Sequence, residues 1–295
     1  MITNNIEKQL IELGIIDINQ VESYYPMTRD NNNISVKKCK KSNVIYLSEN
    51  QYLDDSSYEN KSFIDYWGGG NRETALKNTS KDDNRRFEMF SDLIKNKNYL
   101  DYGTGLGGAI DLFSKIANSV TGIELQQQIC DYLNHSLGYD MYQSLVSMPK
   151  DLKFDIISLF HVFEHVSTPL EQLILLRERL NEKGKIIIEV PHAKDALISL
   201  YNIEEFKSFT FWSEHLILHT RESLEIYLRT AGFNKIVISA YQRYPLANHL
   251  YWLSDKKPCG EIEYNYLTNK NIDSEYSNIL KSIDKTDTLI AIAEK

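Results

Sequence analysis

From Tyr99 to the C-terminus, short apolar runs alternate with stretches in which apolar residues recur every three or four positions. "YLDYG", "SVTGIEL", "FDIISLF", "KIIIEV", "NKIVISAYQ" and "TLIAIAEK" are rich in β-branched residues and too short for helices, so they read as strands. Between them lie helical patterns: a segment from about Gly107 to Ala117, then "QQQICDYLNHSLG", "PLEQLILLRERLNEKG" with a glycine stop, and "TRESLEIYLRTAGF". Strands that are apolar throughout, alternating with amphipathic helices, predict a parallel sheet covered on both faces. The last strand follows an insert and has no room for a covering helix, which predicts a terminal antiparallel pair.

The chain up to about Asn71 has a different texture. "IEKQLIELG" reads as a short amphipathic helix closed by Gly14. "ISVKKCKKSNVIYLS" reads as a β-hairpin turning near Ser42–Asn43. Gly68 to Gly70 break the chain, and "KDDNRRFEMFSDLIKNK" is a helix with Phe87, Phe90, Leu93 and Ile94 on one face. The expected division is an N-terminal helix-and-hairpin segment over 1–71 and an α/β domain over 72–295. "VKKCKKSNVIYL" resembles half of a zinc ribbon, with Ser42 and Asn43 where a second Cys and a Gly would stand. A structural zinc needs four ligands, and Cys39 is the one nearby, so no metal is expected and the hairpin should pack by ordinary burial. Tyr66 and Trp67, with Arg72, are candidates for a lid.

Composition narrows the function. The 295 residues carry a formal charge of −8. "KKCKK" is a short basic cluster, and an acidic chain without a basic block makes a poor nucleic-acid binder. Three cysteines far apart suggest a reducing compartment and no disulfide framework. The N-terminus lacks a secretory h-region, and no apolar run approaches the ~20 residues that span a bilayer. The expectation is a cytoplasmic protein without nucleic-acid or membrane partners; a homodimer is left open.

Chemistry first appears in "YLDYGTGLGGAIDLFSKIANSVTGIEL". Gly103, Gly105 and Gly108 form G-x-G-x-x-G between a strand and a helix, and Glu124 ends the next strand. The glycines let backbone approach a ligand closely, and the acid can accept hydrogen bonds from ribose hydroxyls. Both features serve NAD and S-adenosylmethionine alike. Asp101, two residues before the first glycine, discriminates between them. A carboxylate there suits an ammonium group and repels a pyrophosphate. A dehydrogenase would also show a second mononucleotide half.

"LDYGTGLGG", "GIEL", "FDIISLFHVFEHV", "LNEKGKIIIEVPH" and "TAGF" together resemble the successive motifs of the class I S-adenosylmethionine-dependent methyltransferases, over about Asp82 to the C-terminus. The resemblance implies a doubly wound, seven-stranded Rossmann-like sheet with an antiparallel last strand, and S-adenosylmethionine as methyl donor with S-adenosylhomocysteine as product. It implies that Asp101 and the backbone of Gly103, Thr104 and Gly105 face the methionine part, Glu124 the ribose and Leu125 the adenine. Phe160 and His161 would line the sulfonium.

The histidines are the remaining candidates. "HVFEH" (His161 to His165) matches the H-x-x-E-H spacing of inverted zinc peptidases. That motif needs a helix, whereas here it follows a strand directly and precedes Pro169. A strand-to-helix loop is expected, its histidines either bonding backbone or facing the methyl group. "FTFWSEHLILHTRESL" and "YQRYPLANHLYWL" lie in inserts at about 192–219 and 242–285, where a substrate roof belongs. They resemble stretches of a methyltransferase subgroup found with bacterial surface-polysaccharide genes. The expected activity is O-methylation of a small molecule, a sugar or sugar nucleotide. His249 or His215 would act as base, with His165 third, while Asn248, Tyr241 and Trp212 contact substrate. Competing readings are methylation of nitrogen, carbon or a phosphorylated metabolite, a non-catalytic cofactor-binding protein, and the NAD dehydrogenase.

Overall fold

The computed structural model describes residues 4–49 and 71–295. The helix Asn5–Glu12, capped by the Asn4 side chain, leads into three antiparallel strands: β1 (Val21–Tyr25), β2 (Val36–Cys39) and β3 (Ile45–Leu47). A long helix, Arg72–Ile94, precedes β4 (Asn98–Tyr102). Then come β5 (Ser119–Ile123), β6 (Asp140–Tyr142), β7 (Phe154–Phe160) and β8 (Leu180–Pro191). The two-residue β9 (Ile217–Leu218) turns back to pair with β3, and β10 (Asn234–Tyr241) and β11 (Thr288–Glu294) finish the chain's second sheet.

That second sheet has seven strands in the order β10-β11-β8-β7-β4-β5-β6. β4 to β8 pair in parallel, and β11 runs antiparallel between β8 and β10. This is the doubly wound, Rossmann-like sheet of the expected class. Sequence patterning finds six of its strands; β6 is an edge strand of three residues, too short to show a period. The "PLEQLILLRERLNEKG" helix stops at Arg179, before its glycine. Leu180 already pairs with Phe154, and the next partners are Lys185 and Ile156, so residues 181–184 bulge out with Lys183 at φ +64°.

The hairpin forms as expected. Val36, Lys37 and Lys38 oppose Leu47, Tyr46 and Ile45, and Asn43 takes the left-handed turn position. Buried Ile6, Leu10, Ile45 and Tyr46 join one continuous core with Leu100, Ile157 and Ile188 of the main sheet. The expected lid residues Tyr66 and Trp67, and the Gly68 to Gly70 break, lie outside the described residues. Arg72 instead donates to the Leu106 carbonyl and pairs with Asp111 at 2.7 Å. Among the described residues no helix is long and apolar enough to cross a membrane.

The first insert carries one buried acid with a clear consequence. Asp195 accepts from the Leu197 N–H at 2.7 Å, and burial, reinforced by the nearby Asp287 charge, pushes its carboxyl up to about 8. A raised folded-state pKa favours the protonated form, so its stabilisation is complete below ~4 and is lost as pH rises toward that folded value. Asp195→Asn keeps the acceptor and removes the charge. Urea denaturation at pH 5 and pH 8 should show a variant less pH-sensitive than the parent, gaining ~1–3 kcal/mol at pH 8.

Candidate functional site

The turn after β4 is fixed by its glycines and by the next strand. Gly103 and Gly105 sit at φ +78° and +54°, and a Cβ on Gly103 would come within 2.4 Å of the Val162 side chain. The Gly103 and Thr104 N–H groups both donate to the Ile123 carbonyl at 2.9 Å, which ties the turn to the end of β5. Glu124, the residue after β5, accepts from Gly105 N–H through one oxygen (2.8 Å) and from Gln126 N–H through the other (3.0 Å). Burial raises its pKa, opposed by those two N–H donors. The carboxylate is therefore held rigidly at the mouth of a cavity of about 520 Å³, within the ~300–1,000 Å³ of small-molecule sites.

Gly103, Gly105, Glu124, Leu125, Phe160 and His161 all line this cavity. Asp101 is placed differently from the expectation. Its Oδ1 accepts from Ser158 (2.6 Å) and Tyr99 (3.1 Å), and burial pushes its carboxyl up to about 6. These two hydroxyls, from its own and the neighbouring strand, hold that oxygen. With Thr104 it borders a smaller cavity of about 70 Å³, which shares Gly103, Gly105 and Phe160 with the main one.

A buried ion-pair network forms a further wall of the same cavity. Glu189 of β8 has a fully buried side chain and takes both guanidinium nitrogens of Arg85 at 3.0 and 2.8 Å. Arg86 donates to it at 2.9 Å. Arg243 bonds Asp82 through two nitrogens and reaches His161 Nε2 at 2.9 Å. That Nε2 also lies 3.1 Å from Glu189, while Nδ1 lies 3.1 Å from Glu164. Burial and the Arg243 charge push the His161 pKa down, but bonds to Glu164 and Glu189 outweigh them and the net shift is upward. A neutral ring donates to Glu164 and accepts from Arg243; a protonated one turns its Nε2–H to Glu189. His161 adopts φ +55°, a left-handed conformation costing a non-glycine residue ~1–3 kcal/mol, which the network and its own N–H bond to the Glu189 carbonyl sustain.

Sequence reading missed this wall. Asp82, Arg86, Arg243 and Tyr244 line the cavity together with Asn78 and Thr79. "DDNRR" places acids and arginines three residues apart on one helix face. The available signal was that this charged face is balanced within itself.

The expected acceptor residues are dispersed. His165 lines the cavity. His215 and Trp212 lie behind it, the three rings stacked edge-on with centroids 5.0 to 5.9 Å apart. His249 is not among the lining residues; it is buried, with Nδ1 2.7 Å from the Tyr276 hydroxyl and Nε2 3.2 Å from the Gln242 amide. Burial pushes its imidazole down to about 4 and that of His215 to about 3. Asn248 accepts from Gly260 N–H and packs inside the second insert. Tyr241 lies beneath the Arg85 guanidinium. The roof inserts pack on each other through Leu197, Ile203 and Trp252, and the second reaches the cavity with Arg243 and Tyr244.

S-adenosylmethionine fits the residues present. The glycine turn offers close backbone approach, Glu124 offers a fixed carboxylate for ribose hydroxyls, and Leu125 offers an apolar surface beside it.

Comparison with known proteins agrees. The family described as a methyltransferase domain matches residues 75–238. Over 138 residues the chain is 25% identical to the mitochondrial ubiquinone biosynthesis O-methyltransferase of Schizosaccharomyces pombe, covering 41% of this chain and 48% of that protein. It thus spans about half the length of that curated relative. In fold it is similar to the crystal structure of an S-adenosylmethionine-dependent methyltransferase from Archaeoglobus fulgidus, with TM-score 0.51, 18% identity, and 79% of this chain and 98% of that one covered. Strand order, glycine turn and family match converge: the chain belongs to the methyltransferase-domain family and has the class I S-adenosylmethionine-dependent methyltransferase fold.

Proposed function

We propose that this protein is an O-methyltransferase that methylates a hydroxyl of a small, polyhydroxylated acceptor, of the sugar or sugar-nucleotide class. The observation that carries the reading is the mixed lining of the cavity. Glu124 suits an adenosine ribose, and Asp82, Arg243, Ser167, Thr168 and His165 line the same cavity, a polar set suited to several hydroxyls. The name of the S. pombe relative, an O-methyltransferase, supports oxygen as the acceptor atom.

When bound, S-adenosylmethionine supplies an electrophilic methyl group. The protein's residues then have two tasks. Phe160 and His161 hold the reacting end against the wall of the cavity, and such positioning contributes ~7–11 kcal/mol at best. Of the three histidines expected as base, His165 reaches the cavity, so the acceptor hydroxyl and its proton belong beside it.

Calorimetry with S-adenosylhomocysteine and with NADH tests the cofactor; binding of NADH alone overturns the reading. Mass spectrometry of products made with isotopically labelled donor tests the acceptor atom. His165→Ala should lower turnover ~10²–10⁴-fold while leaving S-adenosylhomocysteine affinity unchanged, and His249→Ala should change turnover little.

A further inference from the structure

We infer that Glu164, His165 and His215 form a binding site for one divalent first-row transition-metal ion beside the cavity, where His165 lines it. A carboxylate oxygen and one nitrogen from each ring lie within 4.8 Å of one another. Among the described residues, two buried atoms here have no hydrogen-bond partner: Glu164 Oε2, on a fully buried residue, and His215 Nδ1. An unsatisfied buried carboxylate oxygen is costly, and an ion held by Glu164 and His215 would offset that cost. His165, which also lines the cavity, opens the site toward the acceptor.

The backbone holds the set together. Residues Phe163–His165 form a single 3-10 turn after β7, and the Leu216 N–H donates to the Glu164 carbonyl at 2.9 Å. His215 is thereby fastened beside Glu164, and the stacked Phe163 and His219 rings pack behind the turn. Donors around a tetrahedral ion at ~2.1 Å stand ~3.4 Å apart, so the three groups close by about an ångström on binding. Two imidazoles and one carboxylate are the donor set of catalytic zinc and non-haem iron sites, which leave further positions open. Glu164 and His165 come from the H-x-x-E-H stretch, but the third ligand is His215 from the first insert rather than His161, whose nitrogens face Glu164, Arg243 and Glu189.

The open positions give the ion a role that rests on the O-methylation reading. It would bind an acceptor through two adjacent oxygens, a vicinal diol or catechol, and lower the pKa of the one to be methylated, its proton passing to solvent. His165 then acts on the acceptor's proton through the ion, so the loss of turnover expected of His165→Ala is the same.

The test uses untagged full-length protein stripped with chelator, with Co²⁺ as probe. The site predicts one equivalent of bound Co²⁺ with visible d–d absorption, displaced by Zn²⁺. His215→Gln and His165→Gln should each weaken binding at least tenfold while retaining S-adenosylhomocysteine affinity, which certifies the fold. Absence of stoichiometric Co²⁺ in the parent, or unchanged uptake in both folded variants, overturns the metal site. Because metal uptake is read without acceptor, either result leaves the O-methylation reading to stand or fall on its own product analysis.

Discussion

Glu124→Ala should weaken S-adenosylhomocysteine binding ~10²–10³-fold, measured by calorimetry at fixed pH. The carboxylate does two jobs. Its oxygens hold the Gly105 and Gln126 N–H groups, which fixes the turn, and it faces the cavity where ribose hydroxyls would donate to it. Hydrogen bonds to charged groups are worth ~1.5–3 kcal/mol each, so losing the ribose contacts alone accounts for this range. Glu124→Gln keeps one acceptor oxygen and should lose less. Equal, small losses in both variants would mean that the ligand's ribose lies elsewhere. Gly103→Ala gives an independent check on the same turn, since its Cβ would collide with Val162.

Glu189→Gln should destabilise the fold by ~3–5 kcal/mol, the usual consequence of removing one partner from a buried ion pair. Arg85, Arg86 and His161 all lie against this carboxylate, whose side chain has no exposed surface. Those charges hold its pKa well below the ordinary range despite burial. At ~2–4 °C per kcal/mol for a chain of this size, thermal melts should show a fall of roughly 10 °C. A melt within 2 °C of the parent would show that the network contributes little net stability.

How far the sequence led depended on the physics behind each feature. The main sheet was legible because strands buried on both faces must be apolar throughout, and "FDIISLF" or "TLIAIAEK" has no other use. The glycine turn and Glu124 were legible because positive φ and a strand-end acid leave fixed residue types at fixed spacing. Asp101 shows the limit: its position was correct, but its direction was set by Ser158, 57 residues away on the neighbouring strand. Arg85, Arg86 and Arg243 were missed because charged side chains ordinarily mark solvent; the Glu189 that pairs with Arg85 and Arg86 sits in an otherwise apolar run, and the Asp82 that pairs with Arg243 lies 161 residues away. His249 was overvalued because its partners, Tyr276 and Gln242, come from other elements and are invisible to local spacing.

The pairing of β9 with β3 bears on how the chain could be shortened. A fragment trimmed to the α/β domain would lose the strand that anchors residues 217–218, and with it the fixed position of the loop just before them. The N-terminal hairpin is in this sense a splint for the loop behind the cavity. Variation in that hairpin is therefore a route by which relatives of this chain could retune what the cavity admits without altering the glycine turn or Glu124.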